Sequence, residues 1–430
     1  MLGVGVDGPT AASAEAPMRA GQWTRPRAPS AMDQRERDAW AVLATVDGLG
    51  PAAFAILLAH YGSARAIVEI AAEPRGARTL ADTPPIDSIR EFGRPYLPIS
   101  EAVAEDIVAA VQAGPRLAAR IAELGIRIVT LDDADYPARL RSIHLPPAVL
   151  FVFGAPAALA RPRACAVVGT RRATDRGRMT ATRIATALVA AEATVVSGLA
   201  LGIDGAAHEA TVRASGVTVA VLGSGLGVIS PPTHRRLADA IVAHGGAVVS
   251  ELGPDVAPGP GTFPRRNRLI SGLADATIVV EAPASSGALL TAGWSLDQGR
   301  GCFIVPGPLD APMSAGCLSF LREFHGEARV VTGVAQLIAD LGYAGTDDEG
   351  RRRPVTATLQ QLGVTESRVA DAVLAGYVTV DELVAVTGLP VAAVLATLTL
   401  LERQGLVVGA YGRYRPAGSL LEPVPVPRRR

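Results

Sequence analysis

Between Arg163 and Leu341, short β-branched runs alternate with Ala- and Leu-rich stretches of helical period. The runs occupy residues 164–168, 194–197, 218–222, 247–250, 276–281 and 302–305. Each crossover helix returns the chain to begin the next strand in the same direction, so such a repeat builds a parallel sheet with helices on both faces. The expected fold class is α/β, with an extended Rossmann-like, doubly wound parallel sheet at its centre. In such sheets, ligands meet the loops that leave the carboxyl ends of the strands.

The flanks differ in texture. Residues 1–35 are rich in Ala, Pro, Gly and Arg without a period, the composition of a disordered leader. Residues 36–130 carry a helical pattern: Trp40, Leu43 and Val46 precede the break Asp47-Gly48-Leu49-Gly50-Pro51, and Phe54, Leu57 and Leu58 follow it. Helix, Gly-Leu-Gly turn, helix outlines a SAM- or helix-hairpin-helix-like unit, whose turn amides can hold a phosphate. An ordinary helical hairpin is the alternative, and Arg37, Asp38, Asp47, Arg65 and Glu69 favour it by leaving no positive charge. Helical texture resumes from Ser100 to Leu124. Residues 131–342 are assigned to the core and the polar stretch 343–355 to a linker. Within 356–418, helical patterns at 366–374, 379–386 and 390–404 precede short strands at 406–408 and 413–415, the plan of a winged helix. Residues 419–430 are expected to form a disordered tail.

There is no lysine: all 41 basic residues are arginine, against 41 acidic residues. The Walker-A phosphate loop, the pyridoxal Schiff base and the protein-kinase ion pair are therefore excluded. With no net charge to attract a polyanion, any nucleic-acid surface must be a local patch. Cys165, Cys302 and Cys317 are too few and scattered for a disulfide framework or a zinc knuckle. Neither a signal peptide nor an uninterrupted apolar run of ~18 residues is evident, so a cytoplasmic chain without a membrane span is expected. Hydrophobic residues make up 49% and aromatics 4% of the chain, enough for a large core that is mainly aliphatic.

Five strand-end loops carry the candidate site. The first, Gly169-Thr170-Arg171-Arg172, opens a helix near Thr174, and its amides with the helix N-terminus are expected to form an anion site. Around it, arginines 161, 163, 171, 172, 176, 178 and 183 face Asp175 as the sole acid. The second loop, Ser197-Gly198-Leu199-Ala200-Leu201-Gly202, enters a helix bearing Asp204 and His208. Asp204 is expected to be the N-cap of that helix, with an Asp204–His208 acid/base pair as the alternative. The third, Gly223-Ser224-Gly225-Leu226-Gly227, fails as a dinucleotide fingerprint because Val228 stands where the last glycine belongs. The fourth, Phe263-Pro264-Arg265-Arg266-Asn267-Arg268, reads as a loop before an apolar helix, with guanidiniums for phosphates and a ring for stacking. The fifth places Ser285, Ser286 and Gly287 at the start of a helix that continues through Thr291. Together they describe a polyanion groove and no evident catalytic constellation.

In this order the motifs resemble the DNA processing protein A (DprA, or Smf) family. The residues that carry the resemblance are Val168-Gly169-Thr170-Arg171, Ser197-Gly198-Leu199-Ala200 with Gly202-Ile203-Asp204 and Ala207-His208, and Val221-Leu222-Gly223-Ser224-Gly225-Leu226. Ser250-Glu251, Phe263 to Arg268, Val280-Glu281-Ala282, Ser286 to Ala292 and Val305-Pro306-Gly307 continue it. The resemblance implies a non-enzymatic protein of natural transformation that binds and protects single-stranded DNA, dimerises, and helps load the RecA recombinase. It implies no catalytic residue, no metal and no cofactor. By motif, Gly169, Thr170, Arg171 and the Phe263–Arg268 segment would hold phosphates and bases, and Ser286, Gly287 and Thr291 would line the same groove; Arg172, Ser197 and Gly198 join them by position. Leu201, His234 and Cys317 stand where the family pattern has Arg, Asn and Thr.

Two other classes compete. A phosphoribohydrolase of the lysine-decarboxylase-like type shares a similar sheet, but a carboxylate should follow its Gly-rich loop, and residues 283–290 offer none. A winged-helix transcription factor should carry a basic reading helix. Residues 356–418 instead hold four arginines against five acids, which favours a protein-interaction or regulatory module.

Overall fold

The computed structural model describes residues 32–84, 90–91, 94–95, 99–343, 362–375, 377, 379–410 and 413–416. Two compact units emerge, one of residues 1–151 with 251–254, the other of 152–250 with 255–430.

In the first unit, helix α1 (Gln34–Ala44) starts where the Asp33 carboxylate accepts the Glu36 amide at 2.8 Å. The end of the expected leader is therefore helical; residues 1–31 of it lie outside the described residues. After the Gly-Leu-Gly break comes α2 (Pro51–Tyr61), with proline in its first turn. Trp40 meets Phe54 edge-on at 4.8 Å, and Leu43 and Leu57 are fully buried. Then follow α3 (Ala64–Ala71), α4 (Gly76–Ala81), the short strands β1 (Arg90–Glu91) and β2 (Arg94–Pro95), and α5 (Glu101–Glu123).

The next element corrects the helical assignment of residues 36–130. Residues Arg127–Thr130 form strand β3, too short a run for its alternation to show in the sequence. Beyond α6 (Ala138–Arg141), strand β4 (Val149–Gly154) begins, and the Leu131 amide donates to the Ala148 carbonyl at 2.9 Å. Among the described residues, no single helix is long and apolar enough to cross a membrane.

The second unit holds the α/β core. Strands β5 (Ala164–Val168), β6 (Thr194–Ser197), β7 (Thr218–Val221), β8 (Ala247–Ser250), β9 (Ala276–Val279), β10 (Gly301–Ile304) and β11 (Ala328–Val330) are parallel. Their order is β11-β10-β9-β5-β6-β7-β8. The end of β4 adjoins β8, where Ala155 donates to the Gly246 carbonyl at 3.0 Å. Strands buried on both faces read as continuous apolar runs, which is why β5 to β10 were legible and β11, with exposed Arg329 and Val330, was not.

The connecting helices are α7 (Asp175–Ala190), α8 (Ile203–Arg213), α9 (Arg235–Ala243), α10 (Thr262–Gly272), α11 (Gly287–Asp297), α12 (Ala315–Glu323) and α13 (Val334–Asp340). On one face of the sheet, Ile184 and Leu188 of α7, Ile203 and Ala207 of α8 and Leu337 of α13 pack on Cys165, Val167, Val195 and Ile278. Each large aliphatic side chain buried there contributes roughly 1.5–3 kcal/mol. Tyr343 closes this core, donating its hydroxyl to Asp275 Oδ2 at 2.6 Å.

The chain order reverses between β5 and β9: β6, β7 and β8 add on one side, β9, β10 and β11 on the other. That pair is the topological switch point, where loops diverge and ligands bind in open α/β sheets.

A winged helix lies near the C-terminus. Helices Val364–Leu374, Val380–Thr387 and Val391–Arg403 enclose Leu383, Leu398 and Leu401, and antiparallel strands β12 (Val407–Ala410) and β13 (Arg413–Pro416) form the wing. Thr379 and Glu382 make a reciprocal capping box at the second helix. The expected wing turn at Tyr411-Gly412, the linker beyond Tyr343 and the tail 419–430 lie outside the described residues.

Candidate nucleic-acid interface

Parallel strands deliver the loops after β5, β6, β7 and β9 to one edge, and α10 crosses it. At the switch point the crevice is filled by the chain itself. The Thr170 amide donates to the Glu281 carbonyl at 2.7 Å, and a Cβ at Gly169 would come within 2.9 Å of that same oxygen. A ligand must therefore lie over these loops rather than between the strands.

The expected anion site at the start of α7 is already occupied. The Glu281 carboxylate accepts from the Thr174 amide at 2.9 Å and the Thr174 hydroxyl at 2.8 Å, while Thr174 Oγ1 accepts the Gly177 amide at 3.0 Å. At Gly177 a Cβ would sit 2.4 Å from Glu281 Oε2, so a larger residue there would displace the carboxylate from the helix start. A side-chain carboxylate thus satisfies the helix N-terminus, as the macrodipole favours.

Beneath the β6 loop lies a buried polar cluster. Asp204 is not the N-cap of α8; that place belongs to Gly202, whose positive φ of 82° and 2.2 Å approach of its missing Cβ to the Thr170 carbonyl admit only glycine. The Asp204 carboxylate instead reaches back to accept the Gly198 amide at 3.0 Å. Arg266 Nη1 donates to the Gly198 carbonyl at 2.7 Å and to the Val221 carbonyl. Burial raises the Asp204 carboxyl, against the pull of Arg266; burial also lowers the Arg266 guanidinium to about 10, against the pull of Asp204. His208 bonds Thr218 rather than Asp204, at 2.7 Å, so the acid/base pair considered from spacing is not formed.

The Phe263–Arg268 segment is not a loop but the first two turns of α10. This splits its residues between two roles. Arg266 and Asn267 are buried, and Asn267 donates to the Gly287 carbonyl at 3.1 Å, tying α10 to α11. Arg265 is exposed, and Phe263 and Arg268 are half-buried. The Phe263 ring packs over Gly223, where a Cβ would be 2.9 Å from the ring. Arg171 sits over the same ring, its guanidinium carbon 4.8 Å from the centroid. Arg172 is exposed beside it.

Of the remaining expected site residues, Ser197 is fully buried and donates to the Val167 carbonyl at 2.6 Å. Thr291 is buried inside α11, and Ser286 caps that helix by accepting the Ala288 amide. Thr170 is buried and Gly287 is exposed. The edge therefore brings together Arg171, Arg172, Phe263 and Arg265 on its surface, over a frame of Thr170, Gly198, Arg266 and Asn267. The glycine-rich third loop closes on the protein, with Gly225 donating to the Val256 carbonyl at 2.8 Å.

A family model for DNA recombination-mediator protein A matches residues 127–342, and one for the DprA winged helix domain matches residues 353–413. The chain belongs to the DprA family.

Among curated DprA relatives, a putative DNA processing protein DprA of Mycobacterium tuberculosis is 40% identical over 305 residues, 68% of this chain and 77% of the relative. Protein Smf of Escherichia coli is 36% identical over 289 residues, 67% of this chain and 76% of the relative. The X-ray structure of DprA from Streptococcus pneumoniae aligns with a TM-score of 0.56 at 28% identity, covering 72% of this chain and 99% of that one.

Motif reading missed Glu281 as an internal cap and Gly177 as its seat in this DprA-family core. A signal for the pair existed: an acid at the end of one strand and a glycine in the first turn of another strand's helix. Only the strand order makes them neighbours.

Proposed function

We propose that this chain is a single-stranded DNA-binding protein without catalytic activity, and that DNA crosses the edge bearing Arg171, Arg172, Phe263 and Arg265. The observation that carries this reading is the Arg171–Phe263 stack at 4.8 Å. It joins a phosphate-binding cation to an aromatic face at the mouth of the switch point, the pairing that single-strand binders use. The ring is held against Gly223 and carries the exposed Arg171 guanidinium, so the pair offers a layered cationic platform on which a base can stack beside a phosphate. Family membership supports the same assignment, together with protection of incoming strands, homodimerisation and assistance to RecA in natural transformation. The phosphoribohydrolase alternative loses appeal because Glu281, the carboxylate nearest the fifth loop, is engaged at Thr174.

The winged helix is assigned a protein-interaction or regulatory role. Its third helix presents Val391, Leu395 and Leu400 to solvent, side chains that read no base edge. A fragment from residue 353 onward should show no salt-sensitive duplex affinity; duplex binding as tight as that of the whole chain would move DNA binding to this module. The test of the main reading is a salt-titrated mobility shift with labelled single- and double-stranded oligonucleotides. Preference for the single strand supports it, and equal or absent binding of both refutes it.

A further inference from the structure

The structure sorts the arginines between residues 161 and 183 into two kinds. Arg161 and Arg163 precede β5, at the end of the sheet opposite the edge that bears Arg171 and Phe263. Arg163 donates to the Ala191 carbonyl at 3.0 Å and lies over the Tyr343 ring. Arg178 folds back, donating to the Ala173 carbonyl and pairing with Asp175 at 2.6 Å. Asp175 is the sole acid of α7, so that pairing uses it up. Arg172, Arg176 and Arg183 remain, exposed and without an ion pair among the described residues. On α7, Arg176, Met179 and Arg183 follow an i, i+3, i+7 spacing and share one face. Ala181, Ile184, Ala185 and Leu188 are buried in the core on the opposite side. A merely solvated helix face would carry acids three or four residues from each arginine. Positions 179, 180, 186 and 187 hold Met, Thr, Thr and Ala instead. Met179, between the two guanidiniums, is 66% exposed.

We infer that this face of α7 is a second nucleic-acid contact, along which the strand that crosses the Arg171–Phe263 stack continues past Arg172, Arg176, Met179 and Arg183. The inference rests on the reading of that edge as a single-strand site and extends it. Continuity supports it, because α7 begins three residues after Arg172 and carries the stripe directly away from the edge. Arg176 and Arg183 stand about 10 Å apart along the helix axis, so they meet different phosphates of an extended strand. The helix start is closed to phosphate by the Glu281 carboxylate, which leaves the arginine face as the way onward. Guanidiniums without acidic partners lose no ion pair when a phosphate arrives, and each contact releases counterions from the strand. The Met179 thioether gives a base a soft apolar contact between them. In a chain with no net charge, such an acid-free stripe is where attraction for a polyanion concentrates.

The test uses the full chain and fluorescein-labelled oligothymidylates of about 6 and about 20 nucleotides, read by anisotropy at several salt concentrations. The short strand is filled by the edge alone; the long one reaches α7. Arg176→Ala with Arg183→Ala should weaken the long strand at least tenfold and leave the short strand within twofold of the parent. Its salt slope for the long strand should fall by about 0.7 for each lost phosphate contact. Phe263→Leu should weaken both lengths. Arg127→Ala with Arg403→Ala, which removes the same charge from exposed positions outside the core, should bind both lengths as the parent does. Parent-like long-strand binding by the α7 variant, with Phe263→Leu weakened, overturns the inference and leaves the edge reading intact. So does an equal loss at both lengths, which makes the arginines part of the edge, or an equal loss in the charge-matched control, which makes the effect one of overall field. Parent-like binding of both lengths by Phe263→Leu takes the strand off the edge and overturns the extension with it. The α7 positions are exposed, and an unchanged thermal midpoint verifies that the variant is folded.

Discussion

Asp204 and Arg266 grip one residue from opposite sides: the Asp204 carboxylate accepts the Gly198 amide at 3.0 Å, and Arg266 Nη1 donates to the Gly198 carbonyl at 2.7 Å. Each side chain is only 5% exposed. A Cβ at Gly198 would stand 2.3 Å from Arg266 Nη1, so a larger residue there would push the guanidinium off its carbonyls. Arg266 is a positioning residue for the edge, and Arg171 above it is the one expected to meet DNA.

Replacing Arg266 with Met removes the buried cation that offsets the Asp204 charge, together with the donor to the Gly198 and Val221 carbonyls, at a cost of about 3–5 kcal/mol. The native Asp204 carboxyl lies above its ordinary 3.8 because of burial. A raised carboxyl contributes stability that is complete below 3.8 and is lost as pH rises through the native value. Removing Arg266 raises it further. The deficit of Arg266→Met should therefore be largest at neutral pH and shrink on acidification, measured by urea midpoints. A deficit that stays constant from neutral pH to about 4 would contradict the pairing.

His208 has the opposite sign. Thr218 donates its hydroxyl to the Val195 carbonyl at 2.6 Å and so accepts from His208 Nδ1 at 2.7 Å, a neutral arrangement. Burial, with the nearby charges of His234 and Arg266, pushes the imidazole from 6.5 down to about 3. The unfolded chain then takes up a proton that the native state refuses. Stability is full above pH 6.5 and falls as pH drops toward about 3, by at most roughly 5 kcal/mol. His208→Gln should flatten that acid limb; an unchanged limb would show that other groups cause it.

Glu281→Ala removes the carboxylate that holds the start of α7. Loss of a helix cap costs about 0.5–2 kcal/mol. The thermal midpoint should fall accordingly, and the effect should not add to that of Thr174→Ala, because the two share one hydrogen-bonded unit. Full additivity would separate them.

The core was legible where strands are buried on both faces, since residues 164–168 or 247–249 form continuous apolar runs there. It was illegible at β3 and β11, short strands of three or four residues with exposed arginines. Among site residues, Arg171 and Phe263 could be read from their motifs. The burial of Arg266, one position from exposed Arg265, could not: neighbours on a helix point in different directions, and the arginines and proline of the segment give no helical period. Asp204 was misassigned for a related reason, because its partner Gly198 is set by the turn at Gly202 rather than by sequence spacing.

The central claim is that single-stranded DNA crosses the Arg171–Phe263 stack, and salt-titrated binding of a labelled single-stranded oligonucleotide to the parent, Arg171→Ala and Phe263→Leu tests it most directly. Loss of one phosphate contact should reduce the slope of log affinity against log salt by about 0.7 in Arg171→Ala. Loss of a stacking face should cost about 1–3 kcal/mol at every salt concentration in Phe263→Leu, with the slope unchanged. Parent-like affinity and slope in both variants, each with a native circular dichroism spectrum, would contradict the account and take the DNA off this edge.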